Sequence, residues 1–486
     1  MNTSRLIMLI TFLGVFAMAV RVSVDSDTWW HLRAGQWIYE NRAILQVDSF
    51  SYTRAGMPWQ YPGWLAEVVM YGLYRTGGLG ALNLWTAGMV TLAFVFIWHA
   101  LSGDPFLRAF AIILGATVSG VYWAARPYLV TFVLVAVFLW VLENYHWRGI
   151  DRLWWLPPLM VIWVNSHGGF VVGIILWGVY TVDGLIRWFY ARMRRFDSQK
   201  SLQHKFVRLL IVGLLVLIGV LINPAGWVMY FYAFKTVGIG ALREYIQEWQ
   251  SPDFHSLQVQ PFIWLLLLTI GVIGASRKQI ALSDYLLIAG FAYMGLMAGR
   301  NVALFALAAP IVLTRYAAPL LEELGNKFGY HGLQENKPAG KLQYINWVLL
   351  SLVILAVAIK VLLVYPVRVN EEVIQRTMPV GAVEYLKETK PAGRLFNTYN
   401  WGGYLLWALP EYPVFIDGRT DLYSDEIISQ WLQVMRAETG WEKVLDDYGV
   451  NLILIERTSL LSRILAMHPD WNQVYEDELA VIFTRK

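Results

Sequence analysis

The chain has 486 residues, 57% of them hydrophobic and 15% charged, with 39 Lys and Arg against 35 Asp and Glu for a net charge of +4. That composition excludes an ordinary soluble globule and makes a bilayer the solvent for most of the chain. The absence of cysteine excludes disulfides, thiolate metal sites and thiol nucleophiles, leaving carboxylate, imidazole and backbone oxygen as the only metal ligands. In the apolar part of the chain the basic residues sit in short loops between spans rather than on one extended face with interleaved aromatics, which argues against a nucleic-acid face.

Apolar runs bounded by charge or by Pro and Gly predict about eleven spans, near residues 5–22, 81–100, 108–124, 128–143, 153–170, 171–189, 207–222, 261–275, 281–298, 301–318 and 344–365. They approach the roughly 20 residues that cross about 30 Å of hydrocarbon. The first run follows Arg5 and ends in Ala17-Met18-Ala19, a pattern shared with cleavable signal peptides. The motif directly after it favours a retained anchor.

Arg187, Arg192, Arg194, Arg195, Lys200, Lys205 and Arg208 crowd the 187–208 loop, whereas residues 223–260 hold only Lys235 and Arg243. The 187–208 loop is therefore expected in the cytoplasm. One crossing per span then predicts a multi-pass inner-membrane protein with a cytoplasmic N-terminus. Loops 23–80 and 223–260 and the tail after Tyr365 fall outside, unless segment 65–74 also spans and inverts every later face. The stretch within 319–343, rich in Gly, Asn and Lys, predicts a cytoplasmic linker. Beyond Tyr365 charge spreads evenly. Short β-like runs at 394–398, 414–416, 451–455 and 480–484 surround helical patterns at 380–387 and 427–437. The expected architecture is a polytopic α-helical bundle over 1–365 and a soluble extracytoplasmic α/β domain over 366–486.

The most informative segment follows the first span: Asp25-Ser26-Asp27-Thr28-Trp29-Trp30-His31-Leu32-Arg33-Ala34-Gly35. Two carboxylates two residues apart at a membrane–water boundary can ligate a divalent cation. Alternatively, one can accept a proton while the other tunes its pKa. Trp29 and Trp30 can stack on a sugar ring, or simply anchor the interface as tryptophans there often do. The same outer face is expected to collect Glu67, Arg126, Asn165, His167, Asn223 and Arg300, each near the end of a span. Any one of them has a structural reading as a snorkelling or capping group. Gathered near an acidic pair, the cationic ones suit a substrate with an anionic leaving group such as a lipid phosphate. The 223–260 loop carries Arg243-Glu244-Tyr245 and Glu248-Trp249 and is long for a bundle connection, which fits a binding loop or an interfacial amphipathic helix.

These residues resemble the GT-C superfamily of membrane glycosyltransferases, and especially the catalytic subunits of oligosaccharyltransferases. The first external loop of those enzymes reads acidic-x-Asp-Pro-aromatic-aromatic-Asn/His-aromatic/Leu-Arg. Asp25, Asp27, Trp29, Trp30, His31 and Arg33 fall on that pattern, with Thr28 in place of proline. Arg300-Asn301 before Ala309-Pro310 is similar to the late arginine motif that contacts a lipid-linked pyrophosphate, with Asn301 where phenylalanine is common. Tyr399-Asn400-Trp401-Gly402-Gly403-Tyr404, followed by Asp417-Gly418-Arg419, is similar to the segment that holds an acceptor peptide, with Gly402-Gly403 in place of its acidic part.

The resemblance implies an inverting transfer of sugar from a polyprenyl phosphate or pyrophosphate to an extracytoplasmic acceptor. Asp27 would be the base and Asp25 its partner, and the pair would be the site of a Mg or Mn ion if one is used. Arg300, with Arg126 and His167, would hold the lipid phosphate. Trp29, Trp30, His31, Arg33, Glu244, Trp401, Tyr404, Asp417 and Arg419 would meet substrate or acceptor, the last four otherwise orienting the soluble domain. The reading from another class is a lipid-binding, transport or assembly protein that retains the fold without its chemistry.

Overall fold

The computed structural model describes the chain apart from residues 24, 241–244 and 329–339. Among the described residues, seven helices are long and apolar enough to cross a membrane. They are α3 (Trp64–Ala100), α4 (Pro105–Ser119, prolonged by a 3-10 turn to Tyr122), α5 (Tyr128–Glu143, prolonged to Arg148), α7 (Val171–Met193, entered through a turn at Gly168), α8 (Gln199–Val220), α12 (Val302–Lys327) and α13 (Gly340–Val364). Four shorter apolar helices accompany them: α1 (Thr3–Ala19), α6 (Leu156–Val164), α10 (Gln260–Ala275) and α11 (Leu282–Met297). The chain is a multi-pass membrane protein, and these helices coincide with the spans expected from its apolar runs. The remaining α-helices among the described residues of this part are α2 (Ser26–Asn41) and α9 (Met229–Val237).

Burial follows apolarity. Helix α5 is hydrophobic all round and sits at the centre of the bundle, as does α12, whereas α13 buries only Asn346 and Leu350 and faces outward along its length. Polar caps set the helix starts: Asp104 accepts from the amides of Phe106 and Leu107 at 2.8 and 2.9 Å, with Pro105 in the first turn. Segment 65–74 does not form a span of its own. It is the first part of α3, separated from the rest by a break at Gly77 and Gly78, where Gly78 takes φ +59°, ψ −150°. The region expected as a cytoplasmic linker is helical up to Lys327 and again from Gly340, and residues 329–339 lie outside the described chain.

After the last long helix come α14 (Val367–Thr377), α15 (Val380–Thr389), β1 (Arg394–Asn397), α16 (Tyr399–Ala408), α17 (Thr420–Met435), α18 (Trp441–Asp447), β2 (Val450–Glu456), α19 (Leu460–Leu465), β3 (Trp471–Glu476) and β4 (Ala480–Arg485). The sheet runs β1-β2-β4-β3, with β1 parallel to β2 and both other pairs antiparallel. Strand β3 escaped the sequence reading because Trp471-Asn-Gln-Val-Tyr-Glu is largely polar and lies at the sheet edge. The β-like run 414–416 is extended but joins no sheet. Its partner is the first loop: Val414 N donates to the Phe50 carbonyl at 3.2 Å, Tyr52 N donates to the Val414 carbonyl at 3.2 Å, and Thr53 Oγ1 donates to the Phe415 carbonyl at 2.6 Å.

That pairing reflects how the hydrophobic side chains are shared. One core fills the bundle. A second unites α2, the loop after it and the first part of α3 with the C-terminal domain, through Trp29, Trp30, Leu32, Phe50, Trp59, Met70, Trp401, Leu405, Phe415 and Tyr423 among others. Helices α2 and α16 meet at van der Waals distance because the facing residue is glycine: a Cβ on Gly403 would come within 2.5 Å of the Ser26 carbonyl oxygen. Gly402 is equally confined, 2.2 Å from the Ile416 carbonyl oxygen.

Gly403→Ala is therefore expected to force α16 off α2, lowering the melting midpoint in detergent by several degrees and opening the C-terminal domain to limited proteolysis. Gly88→Ala, in α3 with nothing within 4 Å of its Cβ position, is expected to be neutral or to stabilise by about 0.5–1 kcal/mol through helix propensity. Equal melting of the two variants would show that α2 and α16 are not in this contact.

Candidate functional site

The site forms where the bundle meets the second core, and its backbone is fixed before its side chains are. Asp25 is the N-cap of α2, its Oδ1 accepting from the Asp27 amide at 2.9 Å. One turn on, Thr28 Oγ1 donates to the Ala125 carbonyl at 3.0 Å, pinning the turn between α4 and α5 against α2. The next residue in that turn is Arg126. Its Nε donates to Asp25 Oδ1 at 2.6 Å, and its Nη1 lies 3.1 Å from Asp27 Oδ2 and 3.1 Å from Glu248 Oε1. Glu248 comes from a 3-10 turn, Gln247–Trp249, in the long loop between α9 and α10.

The same turn carries Trp249, whose ring lies 4.5 Å below the guanidinium carbon of Arg300, a cation–π contact. Gly299 N donates to the Gln250 carbonyl at 3.0 Å, and Tyr128 Oη donates to the Arg300 carbonyl at 3.4 Å. Arg300 is thus seated on the loop that supplies Glu248. His167 stands between α6 and α7. Its Nδ1 accepts from the Gly169 amide at 3.0 Å and lies 2.8 Å from Thr131 Oγ1, which itself accepts from Trp163 Nε1 at 2.8 Å. With its proton engaged in no donation to Trp163, the Thr131 hydroxyl donates to Nδ1, and the imidazole proton rests on Nε2. His167 is a neutral donor here. Burial, with Arg300 and Arg126 nearby, pushes it down to about 3.

The acids respond to the same surroundings. Burial raises Asp27 to about 7; Arg126 opposes the rise, and the neighbouring charges of Asp25 and Glu248 add to it. Burial would also raise Glu248, but Arg126 and Arg300 reverse the effect and hold it below the usual glutamate value. Burial alone would lower Arg126, yet its three carboxylates raise it well above the usual arginine value. At neutral pH the site therefore holds one carboxyl group poised between its two protonation states. On its other side Asp27 touches the C-terminal domain: a Cβ on Gly418 would lie 1.9 Å from Asp27 Oδ1 and 2.9 Å from Trp30 Nε1.

Asp25, Asp27 and Arg126 are in direct contact, with Arg300 close enough to act electrostatically on both His167 and Glu248. The other described residues singled out in the sequence are held by packing and polar contacts of their own, with Trp30 also beside Asp27 at Gly418. Trp29 packs edge-on against Tyr404 with ring centroids 5.2 Å apart, and Trp30 edge-on against Tyr61 at 5.3 Å. His31 Nδ1 lies 3.0 Å from Glu67 Oε1, both groups buried. Arg33 bonds Gln36 at 2.9 Å and lies over the Phe50 ring. Trp401 Nε1 donates to the Thr377 carbonyl at 3.2 Å. Arg419 is fully buried, with Nη2 2.7 Å from Asp417 Oδ2 and Nη1 2.6 Å from Asp48 Oδ1. Asn165 and Asn223 bond each other at 3.2 Å. Glu244 lies outside the described residues.

Glu248 was visible in the sequence beside Trp249 without a role, and only the fold places it on Arg126. Tyr61, Tyr232 and Asp421 were not singled out at all. Asp421, two residues after Arg419, accepts from Trp59 Nε1 at 3.3 Å and Tyr232 Oη at 3.4 Å. Trp59, Phe231, Tyr232, Lys235 and Asp421 line a cavity of about 170 Å³. For a Mg or Mn ion on Asp25 and Asp27 the residues as arranged do not fit. Asp25 Oδ1 and Asp27 Oδ2 are both taken up by Arg126, and no group of three or more acidic or imidazole side chains is placed to hold a metal among the described residues.

No protein-family model and no curated protein matches the chain. Solved structures do. The oligosaccharyltransferase of Archaeoglobus fulgidus tethered with an acceptor peptide containing the NVT sequon aligns with a TM-score of 0.58 at 11% identity, covering 94% of this chain and 69% of that one. The archaeal oligosaccharyltransferase AglB from Archaeoglobus fulgidus, in complex with an inhibitory peptide and a dolichol-phosphate, gives 0.55 at 12% identity with 94% and 70% covered. The arabinofuranosyltransferase AftD from Mycobacteria gives 0.51 at 13% identity, over 100% of this chain and 40% of that one. The chain has the GT-C fold.

The poised carboxyl is open to measurement. In the infrared difference between wild type and Asp27→Asn, the Asp27 carboxyl band should titrate at about 7. Its midpoint should fall in Glu248→Gln, which removes a like charge, and rise in Arg126→Gln, which removes the opposite one. A midpoint near the ordinary aspartate value of about 3.9, unmoved by either substitution, would show that the three groups are not neighbours.

Proposed function

We propose that this chain is a membrane glycosyltransferase that moves a sugar from a polyprenyl phosphate or pyrophosphate donor to an acceptor on the extracytoplasmic face, with inversion. The observation that carries the reading is the convergence of one poised carboxyl, Asp27, with two guanidinium groups and a neutral imidazole donor at one end of an apolar bundle. A lipid-borne phosphate can reach such a place along the membrane, and the cationic groups suit it. The dolichol-phosphate in the AglB complex supports a ligand of that class for this fold.

In the proposed reaction Asp27 takes the proton from the acceptor's nucleophilic atom as that atom bonds to the anomeric carbon. The carbon–oxygen bond to phosphate breaks on the opposite side, and its electron pair stays with the polyprenyl phosphate. Arg300 and the His167 Nε2–H stabilise that departing charge, an effect that grows in the transition state and so raises the rate rather than the affinity alone. Asp25, as the cap of α2, positions Asp27 through its amide. The cavity beside Trp59 and Asp421 and the long loop with Glu244 and Glu248 are where an acceptor or glycan would approach.

The length of α7 supports the extracytoplasmic side for the site. The helix begins next to His167 and runs 23 residues to Met193, about 1.5 Å each, so the basic 187–208 connection lies at the bundle's far end. Positive charge favours the cytoplasm for that end, which supports an extracytoplasmic site and C-terminal domain. One observation favours a different reading: Asp27 is already paired with Arg126, as in a lipid-binding or assembly protein that keeps the fold and not the chemistry.

The experiment that separates the two is transfer from a panel of radiolabelled polyprenyl-linked sugars by purified protein in lipid. Transfer is expected from at least one donor, rising as pH passes through about 7 because the base must be ionised. Asp27→Asn should lose about 10²–10⁴-fold in kcat and the rising pH limb with it. Tight binding of donor lipid with no transfer, indifferent to Asp27→Asn, would establish the non-enzymatic reading instead.

A further inference from the structure

Three carboxylates gathered in a cleft partly withdrawn from water repel one another unless a positive charge sits among them. A divalent ion would meet that need through oxygen ligands at about 2.0–2.6 Å. The place is taken by a guanidinium. Nε of Arg126 lies 2.6 Å from Asp25 Oδ1, and Nη1 lies 3.1 Å from both Asp27 Oδ2 and Glu248 Oε1. These are N–H···O spacings, and among the described residues no acidic or imidazole groups are grouped for a metal.

The guanidinium is built into its position. The Thr28 bond to the Ala125 carbonyl fixes the backbone just before it, and the Gly299 bond to the Gln250 carbonyl fixes the turn that carries Glu248. Among the described residues, the Arg126 hydrogen bonds come from Nε and Nη1 and none from Nη2.

We propose that Arg126 is the resident cation of this centre. With Nε and Nη1 it holds Asp25, Asp27 and Glu248 together, and with Nη2 it takes an oxygen of the donor's phosphate, so the site takes up no divalent metal. The phosphate part rests on the transferase reading; the metal-free part rests on the ion pairs alone. The three acids are not held equally. Asp25 has Nε to itself at 2.6 Å, whereas Asp27 and Glu248 share Nη1. A phosphate arriving at the guanidinium therefore loosens Asp27 before Asp25, and the base is released when the leaving group is in place.

The test is Mn²⁺ binding to the full-length protein in nanodiscs, read by electron paramagnetic resonance with the metal ion alone as probe. Wild type is expected to bind no more Mn²⁺ than empty nanodiscs. Arg126→Gln strips three carboxylates of their counter-charge and, with binding read at a pH above its raised Asp27 midpoint, is expected to gain one site, lost again when Asp27→Asn is added. Arg126→Lys keeps a cation and is expected to gain none, its melting midpoint showing that it is folded. Wild-type Mn²⁺ binding that disappears in Asp27→Asn overturns the proposal, and so does a folded Arg126→Gln protein that binds none. Should Arg126→Gln not fold, wild type and Arg126→Lys decide: Mn²⁺ held at Asp27 by either overturns the proposal, and its absence from both supports it. Because the readout is a metal ion and not a transferred sugar, this result and the transfer assay fail independently.

Discussion

A guanidinium with 1% of its surface exposed, that of Arg419, joins the two parts of the chain from which the site is built. It reaches Asp48 of the first loop with one nitrogen and Asp417 of the C-terminal domain with the others, while Tyr423 Oη donates to the same Asp417 at 2.7 Å. The rings of Trp59 and Phe50 lie 4.9 and 5.2 Å from it. A charge this deep is costly to desolvate, and removing one partner would leave the others unpaired at about 3–5 kcal/mol.

The rest follows from that joint. With 414–416 paired to 50–53, Gly402 and Gly403 are brought onto Ile416 and Ser26, and Gly418 closes against Asp27. The tryptophans after Asp27 then serve as the packed layer between loop and domain, so the acidic cap of α2 is left as the chemical edge of a rigid body. Opposite it stand the bundle's own contributions, Arg126, His167 and Arg300, each at a helix end where the backbone has unsatisfied groups to anchor it. At the other end of the bundle a second buried charge cluster, Arg315 with Glu143 and with Asp284 at 3.2 Å, fastens α12 to α5 and α11.

The spans were legible because lipid demands long apolar runs, and α5, α8 and α13 announce themselves by hydropathy alone. The acidic pair and the arginine turn were legible because charged residues at span ends are few. What stayed hidden depends on contacts between distant segments. Nothing local marks 414–416 as a strand for the first loop rather than for the sheet, and nothing local tells Glu248 from any other loop acid. Asp417-Gly418-Arg419 reads as a polar motif suited to a ligand, and only its Asp48 partner, 371 residues away, turns it into a joint. The glycines at 402 and 403 look like a loss of acidic function in sequence, whereas in space they are what lets α16 approach α2.

The central claim is that a lipid phosphate binds at the cationic edge beside Asp27. A cryo-electron microscopy map of the protein in nanodiscs with polyprenyl phosphate tests it most directly. Phosphate density is expected within hydrogen-bond reach of Arg300 and of Arg126 Nη2, with the Asp27 carboxylate drawn away from Arg126. Phosphate density elsewhere on the bundle, with the Asp27–Arg126 pair unchanged, would contradict it.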